Sequence, residues 1–138
     1  MASRRKAREL ALQMLFQWEL GEHTPEHVIA TFLRSQRTDP EEESFARSLF
    51  EGTVSEVESL NRMIQERAEH WRLERMAAVD RNVIRLALYE LLHYGETPPA
   101  VVINEALELA RRFSTADSVE FVNGVLDAVR KTADSKKG

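Results

Sequence analysis

The chain has 138 residues, of which 43% are apolar and 30% charged, with a formal net charge of −4. That is enough apolar content to bury a core in one domain or two small packed subdomains, and too much for a disordered chain. The absence of cysteine excludes disulfides, cysteine nucleophiles and thiolate metal sites, and it suits a reducing cytoplasm. No apolar run approaches the ~20 residues that cross a bilayer, and no signal-peptide core follows the charged N-terminus, so neither membrane insertion nor secretion is expected. The negative balance excludes a protein that coats nucleic acid along its whole surface, yet leaves room for a local basic patch.

The pattern is helical from the start. Ser3 is an N-cap, and Ala7, Leu10, Ala11, Met14 and Trp18 recur at helical steps as a core stripe, with Gly21 as the stop. A second stripe, Leu12, Phe16 and Leu20, lies away from the first; it is either a further buried face or a partner-binding face. Four cations, Arg4, Arg5, Lys6 and Arg8, crowd the first turns, with the three arginines on one side and Lys6 roughly opposite. Positive charge there opposes the helix macrodipole at a cost of roughly a few tenths of a kcal/mol. It marks either a solvated, frayed terminus or a contact with phosphates.

Thr24-Pro25 reads as cap and first residue of a second helix, with Val28, Ile29, Phe32 and Leu33 as its buried stripe. Asp39-Pro40 repeats the device. Glu42 completes a capping-box pattern there, and the acidic run 41–43 reads as a solvated, dipole-matched first turn. From Phe45 an apolar stripe runs through Leu49, Phe50, Thr53, Val57 and Leu60 to Ile64, with Gly52 as a close approach or kink. The stretch from Trp71 to Met76 is expected to hold the break between two subdomains. Next, "VDRNVIRLALYELL" is apolar around most of its circumference, as a helix central to a bundle should be. Gly95 and Pro98-Pro99 end it and open another periodic segment through Phe113. Ser114 with Asp117 forms a second capping-box signature, opening a last helix along Val122, Val125, Leu126 and Val129. The expected fold is all-α, with six or seven helices in two packed subdomains, about 1–70 and 71–132, and a frayed polar tail at 133–138.

Catalysis finds little support. His23 and His27 stand four apart but straddle a helix start and lack a third ligand nearby. No phosphate-binding glycine loop, HExxH or GxSxG is present, and the paired carboxylates fall on expected exposed faces. No catalytic residue, metal or cofactor is expected.

Three stretches together carry a resemblance: "RRKARELALQMLFQWEL", "VDRNVIRLALYELL" and "PPAVVINEALELARRFSTADSVEFVNGVLDAV". They resemble the NusB family of transcription antitermination proteins from Arg4 to Val129; residues 22–75 match only in helical pattern. The resemblance implies an all-helical fold of two subdomains and no enzymatic activity. It also implies binding of boxA-type single-stranded RNA in ribosomal-RNA leader transcripts, together with the ribosomal protein NusE, in support of a termination-resistant RNA polymerase complex. On this likeness Arg4, Arg5, Lys6 and Arg8 are expected near RNA phosphates, and Phe113, Asp117 and Phe121 at a second RNA-contacting region. Asp117 and Phe121 are four apart and share a helix face; Phe121 can offer a ring to an unstacked base. The more ordinary roles are a core position for Phe113 and a cap for Asp117. The NusE-facing residues implied are Phe16, where some relatives have tyrosine, and Asp80, with Arg81 beside it; Leu12 and Leu20 flank Phe16 on its stripe. Some members self-associate through the first helix, so a homodimer stays open. Two other readings remain: a NusB-like domain from an rRNA cytosine methyltransferase, which requires a longer protein, and a helical adaptor without an RNA role.

Overall fold

The structure, a computed structural model, describes residues 3–21, 23–34, 39–67 and 72–137, with side chains described as far as residue 131. Trp71, at the expected subdomain break, and Gly138, at the end of the tail, lie outside the described residues. Among the described residues there are seven α-helices, one 3₁₀ turn and no strand. The helices are α1 (Arg4–Leu20), α2 (Pro25–Arg34), α3 (Pro40–Ser55), α4 (Val57–Arg67), α5 (Ala78–His93), α6 (Pro99–Phe113) and α7 (Ala116–Lys137), with the turn at Leu73–Arg75.

The chain separates into two compact units at Ser55/Glu56, earlier than the break expected from sequence. The apolar stripe from Phe45 to Ile64 is not one helix. Ser55 Oγ donates to the Gly52 carbonyl at 3.0 Å, α3 ends, and α4 begins at Val57 after a turn at Glu56. Leu60, Met63 and Ile64 of α4 are buried, and α4 packs on α5 and α7. A helix follows the surface that buries its apolar face, so α4 belongs with the later helices.

In the first unit α1 packs on α3 and α2, and α2 on α3. Ala7, Leu10, Ala11 and Met14 are buried as their spacing predicts; Leu12 and Leu15 are buried too, while Trp18 is only half-buried. The caps behave locally as expected: Ser3 Oγ accepts from Lys6 N–H at 3.1 Å, and Thr24 Oγ1 accepts from His27 N–H at 3.2 Å.

In the second unit α5 packs on α4, α6 and α7, and α7 packs on α4, α5 and α6. Residues 82–88 are buried in unbroken succession, which is how an all-round apolar helix is satisfied. Arg81 fastens the start of α5 to the preceding turn, donating through Nη1 to the carbonyls of Leu73 (2.9 Å) and Met76 (2.8 Å). Pro99 stands at the first position of α6, where its missing N–H costs nothing. The backbone of α7 continues as helix to Lys137, through the polar tail expected to fray.

Candidate nucleic-acid interface

The basic start of α1 is built on α3. Ser3 N–H donates to Glu42 Oε1 at 2.8 Å, so the carboxylate serves the first turn of another helix. Glu42 is only 8% exposed, not the solvated residue its acidic run suggested. One turn further along α3, the Phe45 ring lies under two guanidiniums: Arg4 Cζ is 4.1 Å from its centroid and Arg8 Cζ 5.6 Å. The ring's negative face attracts both cations, which offsets part of the macrodipole penalty of placing them there. Arg4, Arg5 and Lys6 are exposed. Arg8, expected among the phosphate contacts, is 5% exposed, so its charge is sequestered against Phe45.

The second stripe of α1 divides. A column of residues four apart turns by ~40° at each step, because an α-helix has 3.6 residues per turn. Leu12 therefore falls within the buried arc at 3% exposure, while Phe16 at 37% and Leu20 at 62% rotate out of it. Leu12 is corrected to a core residue. Phe16 and Leu20 are left as the exposed part of the candidate partner face.

The other candidate region joins the start of α5 to the α6–α7 junction. Phe113 is half-buried, with Arg112 Cζ 5.5 Å from its ring centroid. Asp117 is exposed and Phe121 half-buried on α7. The cap of α7 is Thr115 rather than Ser114: Thr115 Oγ1 accepts from Ser118 N–H at 3.2 Å. The reason is Asp80, the acidic residue in the first turn of α5. Its Oδ1 accepts from Ser114 Oγ at 2.9 Å and its Oδ2 from Ser118 Oγ at 2.8 Å. Thr115 Oγ1 donates to Ser118 Oγ at 3.1 Å, closing the network. Asp80 is 5% exposed, and its carboxylate is occupied inside the protein rather than presented to a partner. Arg81 is half-buried and tied to backbone carbonyls. The Asp80 carboxylate is thus a buried, internally bonded group, while the half-buried Arg81 side chain holds the turn before α5.

Sequence reasoning missed Phe45, Glu42, Ser114 and Ser118 as shapers of these regions. The serines stand four apart around a helix start, a visible hint; Phe45 is tied to α1 only by the fold. Elsewhere, the His23 and His27 ring centroids lie 4.5 Å apart with their planes tilted by 31°. No group of three His, Cys, Asp or Glu side chains among the described residues could hold a metal. No helix among them is long and apolar enough to cross a membrane.

Helices without a strand among the described residues, in two compact units, with an exposed basic helix start and a hydroxyl-and-aromatic junction, define an all-helical protein whose distinctive chemistry lies on its surfaces. The chain belongs to the NusB family, whose family model matches residues 5–131. It is 52% identical over 137 residues to the transcription antitermination protein NusB of Koribacter versatilis, covering 98% of this chain and 93% of the relative. It is 51% identical to that of Solibacter usitatus, covering 95% and 90%. Among solved structures, T. maritima NusB matches with a TM-score of 0.88 at 36% identity, covering 95% of this chain and 93% of that one. A chain of the crystal structure of antitermination factors NusB and NusE in complex with dsRNA matches with a TM-score of 0.85 at 25% identity, covering 94% of this chain and 96% of that one.

Proposed function

We propose that this chain is a cytoplasmic transcription antitermination factor. It binds boxA-type single-stranded RNA of ribosomal-RNA leader transcripts together with NusE and thereby supports a processive RNA polymerase complex. It works by binding, not catalysis. The observation that carries the reading is the exposed trio Arg4, Arg5 and Lys6, held on a helix start that Glu42 and Phe45 anchor, in a chain of net charge −4. A fixed local cluster of cations is suited to phosphates and gives binding that weakens with salt. Phe121 and Asp117 supply the base-contacting side: a ring at the edge of the core for stacking and an exposed carboxylate one helical turn before it. Phe16 and Leu20 supply an apolar contact for NusE, or for a second copy of the chain.

The test is fluorescence anisotropy with a boxA-like RNA and a scrambled RNA, with and without NusE from the same organism, across a salt series. Preference for the boxA-like RNA, strengthened by NusE, is the expected result. Equal affinity for the scrambled sequence would overturn it. Phe16→Asp is expected to weaken NusE association while leaving the helical circular dichroism intact; loss of the fold would instead mean that Phe16 serves the core.

A further inference from the structure

We infer that Asp80 is a positioning residue for RNA, acting through the Ser114 and Ser118 hydroxyls to fix the α6–α7 junction; this rests on the function proposed above. A buried carboxylate needs its oxygens satisfied, and here each oxygen takes one hydroxyl from residues 34 and 38 positions further on. The two serines bracket the start of α7: one is the last residue before the Thr115 cap, the other is the residue whose N–H that cap holds. The set is complete in donors and acceptors. Ser114 and Ser118 each donate to Asp80, and Thr115 donates to Ser118. It therefore specifies both the bend between α6 and α7 and the rotation of the first turn of α7.

Asp117 sits inside that turn and Phe121 one turn on. The direction in which they project follows from the rotation that Asp80 sets. The carboxylate is too buried to be a ready surface contact, and a purely apolar residue would have packed against α7 without selecting one rotation. A charged acceptor gripping two hydroxyls selects one.

Three variants test this with NusE absent, so that any direct partner contact by Asp80 is silent. Asp80→Asn offers one hydroxyl an N–H in place of an acceptor oxygen. Ser114→Ala with Ser118→Ala leaves the carboxylate and removes both donors. Asp80→Glu keeps the charge and should partly rescue. The readouts are boxA-like RNA affinity well below the melting temperature, the far-ultraviolet circular dichroism, and amide chemical shifts for residues 115–122. The expected result for Asp80→Asn and for the serine pair is an affinity drop of roughly 3- to 30-fold with the helical signal retained and the junction amides shifted. Wild-type affinity in both, whether or not the amides shift, would overturn the inference alone. Absence of RNA binding by the wild-type chain both without and with NusE would overturn the functional reading, and this inference with it.

Discussion

At the scale of single residues, the chemistry turns on what the arginines stand on. Four cations in the first turns are plain in the sequence, but the ring beneath two of them is not, because Phe45 follows Arg4 and Arg8 by a distance that no local period links. The stacking makes a specific prediction. Phe45→Leu keeps apolar contact and loses the ring quadrupole, so RNA affinity should fall by about two- to fivefold, the worth of an exposed cation–π contact. Phe45→Tyr should retain it, and anisotropy titrations on the two variants decide between them. Glu42 acts on the same turn from the other side. Glu42→Ala leaves the part-buried Ser3 N–H without its acceptor and should cost about 1–3 kcal/mol in urea unfolding, with faster hydrogen exchange at the first turns of α1. A stability equal to wild type would mean that the Ser3–Glu42 bond contributes nothing.

At the scale of elements, helix type was legible, since every periodic segment is helical, one of them as two helices, and the all-round apolar α5 is buried through residues 82–88. What could not be read locally were the choices made by tertiary partners. Ser114-x-x-Asp117 fits a cap signature, yet Thr115 holds the cap while Asp80 engages the Ser114 hydroxyl. Likewise the continuous stripe from Phe45 to Ile64 hid a turn at Glu56, visible only once α4 has found α5 and α7. Thr115→Ala should therefore lower stability by about 1 kcal/mol as an N-cap loss, whereas Asp117→Ala should scarcely alter the melting temperature. The reverse ranking would restore the cap to Ser114. At the far end of α5, burial, with the nearby Tyr94 and the Glu56 carboxylate, pushes the Tyr89 phenol above its ordinary value. The folded state thus holds that proton more tightly than the unfolded chain. The stability this contributes is complete below about pH 10 and is lost as pH rises through the raised value. Tyr89→Phe should flatten the alkaline fall in melting temperature, and an unchanged profile would assign that fall to other groups.

At the scale of the whole molecule, an acidic chain can bind a polyanion only if its cations are clustered and most of its anions lie farther from them than the screening length, about 8 Å at physiological salt. Which cations act on RNA is then a matter of exposure rather than of count. Arg4, Arg5 and Lys6 reach solvent, and Arg8 does not. Replacing the exposed three with alanine should therefore reduce the slope of log affinity against log salt by roughly two, at ~0.7 per phosphate contact on a single strand. Arg8→Ala should leave the slope near that of the wild type and instead lower the melting temperature, because it removes a buried stem and a cation from the Phe45 ring. The two effects are read in one salt series and one set of melts. If Arg8→Ala flattens the slope as much as Arg5→Ala does, then Arg8 leaves Phe45 when RNA arrives, and the basic start of α1 is rearranged by its ligand rather than prepared for it.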